Sequence, residues 1–281
     1  MHPTRIVFLL TYFLAGCLLA WGCAPEPGGE ASSQPEVARP DQPSTRAETP
    51  SPPPPAHSPE DAARRLDHGI DLSVHSGDVD WERIAAAGYG FAILKATEGV
   101  DLEDGAFAAH WQRAAEVGLI RGAYHFYVTE DDPNQQADWF TSKVALQPGD
   151  IAPIVDIELI GHGTPAGWQE NVLTFVRRLH EHYGVAPIVY TGPKFWQTHF
   201  QGETAREMSE YPLWIAEYGV DEPVVPDHWP TWHLWQYRGD AEISGIEKGA
   251  DISRVHREAV DPATLLVPRK SSAAAVSPEP H

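Results

Sequence analysis

The octapeptide Ile151-Ala152-Pro153-Ile154-Val155-Asp156-Ile157-Glu158 constrains the fold more than any other part of the chain. Strand side chains alternate between faces, so Ala152, Ile154, Asp156 and Glu158 share one side. Ile151, Pro153, Val155 and Ile157 share the other. A strand that is apolar on both faces belongs in a parallel sheet covered on both sides. Two carboxylates at the C-terminal end of one face are costly to bury without partners. Their Cα atoms lie about 6.6–6.8 Å apart, so two ionised acids repel there and one pKa rises. Such a pair can hold a proton donor beside an anion at neutral pH. The alternative is a strand end carrying two solvated acids, and this stretch alone leaves the two readings balanced.

The 281-residue chain carries a formal net charge of −20, which argues against a nucleic-acid binder working through a basic patch. An anionic polymer would have to be held by local contacts against the net field. Both cysteines, Cys17 and Cys23, lie near the amino end, so no disulfide, thiolate metal site or cysteine nucleophile is expected beyond them.

Residues 1–22 read as a lipoprotein-type signal peptide: a short basic start, then the apolar run from Ile6 to Ala15. A transmembrane anchor is the alternative, because Ile6 to Trp21 is nearly long enough to span. Leu14-Ala15-Gly16-Cys17 resembles the bacterial lipobox, which makes Cys17 the expected lipidation site. Cys23 fits that motif less well but sits at the linker boundary. Residues 23–66 read as a Pro-rich disordered linker, with eleven of the 26 prolines between positions 24 and 62. Such tracts extend as polyproline II, giving a semi-rigid spacer of up to ~100 Å. Residues 263–281 read as a disordered tail.

Between them, residues 67–262 alternate strand, loop and helix. Strands are expected at Gly69–Val74, Phe91–Lys95, Ile120–Phe126, Ile151–Glu158, Pro187–Thr191, Leu213–Ala216, Trp232–Tyr237 and Ala250–Ile252. Helices are expected from Asp80 through Ala87, from about Gly105 to Val117, from Asp132-Pro133 to about Val144, and from about Ala166 to Tyr183. Eight strands with weak helices between the last four predict an irregular (β/α)8 barrel of the α/β class.

In such a barrel the functional residues sit at the carboxyl ends of the strands. That rule collects Asp71, Ser73, Lys95, Glu98, Tyr124, His125, Tyr127, Asp156, Glu158, Tyr190, Trp214, Glu217, Trp235, Gln236, Tyr237 and Asp251. Acids and aromatics converge with few cations. Aromatic faces suit the C–H faces of sugars and acids suit hydroxyls, so a carbohydrate cleft fits better than a phosphate site. No GxGxxG or Walker motif is present, which leaves nucleotide binding without support.

The motifs Gly69-Ile70-Asp71-Leu72-Ser73, Lys95-Ala96-Thr97-Glu98-Gly99, Gly122-Ala123-Tyr124-His125-Phe126 and Val155-Asp156-Ile157-Glu158 follow one another in a telling order. Tyr190-Thr191, Pro212-Leu213-Trp214-Ile215-Ala216, Trp235-Gln236-Tyr237, Ser244-Gly245-Ile246 and Ala250-Asp251-Ile252 complete the series. It resembles the glycoside hydrolase family 25 muramidases, the Chalaropsis-type lysozymes, over roughly residues 67 to 257. The resemblance implies an enzyme that cleaves the β-1,4 bond between N-acetylmuramic acid and N-acetylglucosamine in peptidoglycan, with no cofactor. It implies Glu158 as general acid/base and Asp156 as the group that orients the substrate's own 2-acetamido group. Asp71 and Asp251 match the other two acids of the family's cleft. One stretch departs: the family carries Gln or Asn shortly after Asp-x-Ser, where this chain has Val74-His75-Ser76-Gly77. His75 either replaces a cleft contact or is an exposed loop histidine.

Tyr124, His125, Tyr190, Trp235 and Gln236 are the candidate substrate-binding residues, each with a bland alternative as core or hydrogen-bonded barrel side chain. Lys95 and Glu98 are expected to form a structural ion pair. His180-Glu181-His182 lacks the HExxH spacing and is not expected to bind metal. The competing functions are a non-catalytic wall-binding lipoprotein on the same barrel and a hydrolase of another glycan such as chitin. The expected partners are peptidoglycan strands and, through the lipid, a membrane, with the protein acting as a monomer. The expected location is the outer membrane, after export.

Overall fold

The computed structural model describes residues 58–268. The expected signal segment with Cys17 and Cys23, most of the expected linker and the end of the expected tail lie outside the described residues.

The described chain opens with α1 (Pro59–Arg65), inside the stretch expected to be linker. Ser58 caps it by accepting the Asp61 N–H, and Pro59 occupies the first turn, where its missing N–H has no cost. The same proline content that suggests a spacer therefore also starts a helix. Next come β1 (His68–Leu72), α2 (Trp81–Ala86), β2 (Phe91–Glu98), β3 (Leu102–Glu103), α3 (Phe107–Glu116) and β4 (Ile120–Phe126). They are followed by α4 (Pro133–Lys143), β5 (Ile154–Asp156), α5 (Trp168–Tyr183), β6 (Ile188–Thr191), α6 (Pro193–His199) and α7 (Gly202–Met208). The last strands are β7 (Leu213–Ala216), β8 (Leu234–Ala241) and β9 (Ala250–Val255). The expected caps form: Asp80 accepts the Arg83 N–H at the start of α2, and Asp132 accepts the N–H groups of Asn134 and Gln135 at the start of α4.

Eight of these strands close into a barrel, with β3 a short hairpin partner on the side of β2. From β1 through β8 the neighbours β1–β2–β4–β5–β6–β7–β8 are all parallel. The barrel departs from eightfold β/α regularity at β9, which runs antiparallel to both β8 and β1. The eight residues between β8 and β9 leave no room for a crossover helix, so the chain turns straight back. The 17 residues between β7 and β8 also form no helix, which matches the weak helical pattern there.

The parity read from Ile151–Glu158 holds for Ala152, Ile154, Val155 and Ile157 but fails at Ile151, which joins the interior cluster, because regular strand pairing covers only Ile154–Asp156. Ala152 and Ile154 pack inside the barrel with Phe91, Ile93, Ile188, Trp214 and Leu234. Val155 and Ile157 pack outside it, against the helical layer that includes Phe140, Phe175 and Val176. Ala62 and Leu66 of α1 and Leu265 and Leu266 join the interior cluster from the amino end of the strands. The Ala152 N–H donates to the Leu265 carbonyl at 2.8 Å, and Ile151 bridges Leu266. The fold thus extends beyond 67–262 at both ends, because the floor of the barrel needs apolar cover that the strands do not supply.

Gly69, in the first motif, is explained by a close approach: a Cβ there would lie 2.2 Å from the Phe91 ring. Gly69→Ala must displace a fully buried phenylalanine, and it is expected to cost about 1–3 kcal/mol. The urea midpoint of the variant measures this.

Candidate active site

The acids meet at the carboxyl end of the parallel strands. Asp71 and Asp251 are direct partners across the antiparallel β1–β9 pair, so their side chains share one face. Asp251 sits at the start of β9, not at its end. It reaches the same mouth because an antiparallel strand begins where its parallel neighbours finish. Asp156 ends β5, in register with Phe126 and Tyr190, and Glu158 follows two residues on, past the outward-facing Ile157. The loop carrying Glu158 is pinned from β4–α4: the Gly161 N–H donates to Thr129 Oγ1 at 3.1 Å, and Gly163 N–H to Glu130 Oε1 at 3.4 Å.

The electrostatics follow depth. Burial pushes Asp156 well above the usual carboxylate range, and the negative charge of Glu158 adds to it. Asp71 is pushed up in the same way, by burial and then by Asp251, while a hydrogen bond from Gln236 opposes the shift. Glu158 is also raised, first by desolvation and then by Asp251, although its residue surface is open to solvent. Desolvation leads for Asp251 too, partly offset by the Asp240 N–H, which donates to Asp251 Oδ1 at 2.8 Å. Asp240 takes a left-handed φ of 49° to aim that N–H, within an irregular stretch of β8. Lys95 opposes the rise at both Asp156 and Glu158. Its ammonium is held 2.7 Å from Glu98 and over the Phe126 ring, so the expected ion pair forms.

Burial and neighbouring negative charge together raise all four carboxyls, which disfavours their simultaneous ionisation. The resemblance implies a proton donor at Glu158 beside an Asp156 that faces the substrate's acetamido group, and the structure places both carboxyls at one mouth with their pKa values raised. Asp156 is the deeper of the two, 7% exposed, and burial is the first cause of the rise at both.

The aromatic and amide candidates divide. Tyr124 lies beside the acids, its hydroxyl pushed up by burial and then by Asp156. Tyr190 is buried on the interior face, in edge contact with Trp214, and donates to Gln236 Oε1 at 2.9 Å. Gln236 is present but closed off at 2% exposure, its Nε2 donating to Asp71 Oδ1 at 3.0 Å. It supports Asp71, and its Oε1 is occupied by the Tyr190 and Tyr218 hydroxyls.

His125 and Trp235 are not in the mouth. Both occupy the outward parity of their strands. His125 is fully buried between β4 and the helices, bonded to Thr97 Oγ1 at 2.8 Å and Gln136 Oε1 at 3.0 Å and stacked on Phe175. Burial lowers its pKa to about 4, so it is neutral in the physiological range. His125→Ala is expected to lose about 2–4 kcal/mol of stability through that cavity and those bonds. KM, measured below the melting transition, should not change. Trp235 packs outside the barrel beneath the Arg254 guanidinium. His75 is an exposed residue of the 3-10 turn Val74–Ser76. Among the described residues no group of three or more His, Cys, Asp or Glu could hold a metal ion.

With this geometry in place, comparison with known proteins assigns the chain. The family model for glycosyl hydrolases family 25 matches residues 70–246. The chain belongs to that family. Lysozyme M1 of Streptomyces globisporus is 31% identical over 202 residues, covering 68% of each protein. The N,O-diacetylmuramidase of a Chalaropsis species is 29% identical over 183 residues, covering 60% of this chain and 86% of the relative. The crystal structure of a bacterial lysozyme from Streptomyces coelicolor superposes with a TM-score of 0.65 at 29% identity, covering 72% of this chain and 97% of that one. The family 25 protein described here is therefore a glycoside hydrolase of the lysozyme and muramidase kind.

Proposed function

We propose that this glycoside hydrolase cleaves the β-1,4 bond between N-acetylmuramic acid and N-acetylglucosamine in peptidoglycan, with Glu158 as general acid/base. The observation that carries the assignment is the mouth itself: of the coupled carboxyls, Glu158 follows the end of a central strand and is open to solvent. A group that must hand a proton to a polymer has to be both reachable and raised in pKa.

In the first step the Glu158 proton passes to the glycosidic oxygen as the C1–O bond breaks. The carbonyl oxygen of the substrate's 2-acetamido group bonds to C1 on the other side. Asp156 accepts a hydrogen bond from the acetamido N–H, which favours its anion and offsets the burial that raises its pKa in the free protein. In the second step the Glu158 carboxylate takes a proton from water, whose oxygen attacks C1 and releases the acetamido group. No protein nucleophile is needed, as in other substrate-assisted glycosidases. Asp251 supplies negative charge that holds the Glu158 proton, being the largest charge acting on it.

Digestion of purified cell wall and of chitin oligomers, with products identified by mass spectrometry, tests the substrate. Soluble fragments from the wall and intact chitin oligomers are expected; comparable cleavage of chitin replaces the substrate assignment.

Residues 1–22 are proposed to direct export and lipidation at Cys17, with Cys23 the alternative, leaving a monomeric enzyme tethered by the linker to a membrane, the outer membrane being favoured. Palmitate labelling of the full chain, repeated with each Cys→Ser variant, decides the site.

A further inference from the structure

Trp235 lies outside the barrel wall, yet its position leads to another ring at the mouth. Its indole N–H donates to the Glu217 carbonyl at 2.8 Å. The Glu217 carboxylate accepts the Val224 N–H at 2.6 Å, so the turn beyond β7 is tied at both ends. Tyr218 stands between these ties. Its hydroxyl donates to Gln236 Oε1, the same oxygen that Tyr190 bonds. A Cβ on Gly239 would lie 3.3 Å from the Tyr218 ring, so a glycine at 239 gives the ring room beside β8. The ring is fixed on two sides, and the residue is still 50% exposed.

Its surroundings point to a ligand. The exposed large apolar side chains among the described residues all lie at this end of the barrel, with Leu159 and Ile160 beyond β5 and Val220 and Val224 on the Tyr218 turn itself. Apolar side chains exposed at the end of the barrel that carries the acids suit a ligand with an apolar face. The acids couple to the same phenol: Asp251, Asp71 and Glu158 all act on the Tyr218 hydroxyl. A pyranose presents an apolar C–H face bordered by hydroxyls, which is complementary to an exposed ring beside carboxylates.

We propose that Tyr218 is a sugar-binding platform, its ring taking the C–H face of a glycan unit next to the scissile bond. The occupant is continuous with the reacting sugar, because the platform is wired to the acids. Two phenol donors on Gln236 Oε1 turn its Nε2 toward Asp71, where the amide favours the ionised carboxylate. Tyr218 thus binds with its ring and positions Asp71 through its hydroxyl. Trp235 acts only as the anchor of the turn.

The proposal rests on the glycan reading of the mouth, and the test separates the two. The full chain carrying Glu158→Gln is titrated by calorimetry with a peptide-free tetrasaccharide of alternating N-acetylglucosamine and N-acetylmuramic acid. Adding Tyr218→Ala is expected to weaken binding about tenfold, the scale of one aromatic contact. Tyr218→Leu, which keeps apolar bulk without an aromatic face, should bind as weakly. Tyr218→Phe and Tyr218→Trp should stay within about twofold of the parent. With Glu158 intact, Tyr218→Phe should hold KM and shift the pH–rate profile, because Gln236 has lost one donor. Ala and Leu variants that bind as tightly as the parent overturn the platform while leaving the substrate reading in place. A parent that binds no tetrasaccharide overturns the substrate reading and the platform with it.

Discussion

Replacing Glu158 with glutamine is expected to slow digestion of purified cell wall by about 10³-fold while wall binding persists. Glutamine keeps the shape of the side chain and cannot donate a carboxyl proton. Glu158 is open to solvent and its loop is held by Thr129 and Glu130, so the substitution should leave the fold intact. The loss should fall on kcat, since protonation of the leaving oxygen belongs to the transition state and not to binding. In the wild type the rate should fall as pH rises through the raised pKa of Glu158, because a general acid works only while protonated. An unchanged rate for the variant would move the acid role to another carboxyl of the cluster.

Asp156→Asn should separate activity from stability. Activity is expected to drop by about 10²–10³-fold, the usual cost of removing a charge placed to meet a developing one. Stability should move the other way. The folded pKa of Asp156 lies above its unfolded value, so between the two the folded state holds the extra proton. Stability from this group is present below the unfolded pKa and is lost as pH rises through the folded one. Asparagine has no proton to lose. The variant should therefore melt a few degrees above wild type at neutral pH, with the gap closing as pH falls toward the ordinary aspartate range. His125 contributes in the opposite sense: with its pKa lowered to about 4, its stability is lost as pH falls below the ordinary histidine value. That term is common to both proteins and cancels. Paired thermal melts from mildly acidic to neutral pH give the comparison.

The parity of Ile151–Glu158 carried a long way, because a two-residue period leaves no freedom once one face is apolar. It put Asp156 and Glu158 on the side where Ile154 packs, and Val155 and Ile157 against the helices. The same rule, applied to neighbouring strands, would have removed two candidates. His125 alternates with Tyr124, and Trp235 with Gln236, so in each pair only one can face the mouth. Motif membership and aromatic character drew attention to the wrong partners. Tyr218 was missed by one position, since the carboxyl-end inventory stopped at Glu217. The direction of β9 and the floor made by α1 and Leu265–Leu266 depend on pairings between segments remote in sequence. Local pattern carries little of that information. The leading cause of the raised acid pKa values is out of reach for the same reason: it is burial, which spacing does not encode.

The most direct measurement is the identity of the new reducing ends released when the full chain digests purified peptidoglycan. Borohydride labelling followed by sugar analysis should find N-acetylmuramic acid at those ends, and with Glu158→Gln they should appear about 10³-fold more slowly. New ends that are N-acetylglucosamine, or wild-type digestion that creates no reducing ends, would contradict cleavage of the muramic acid bond at this mouth.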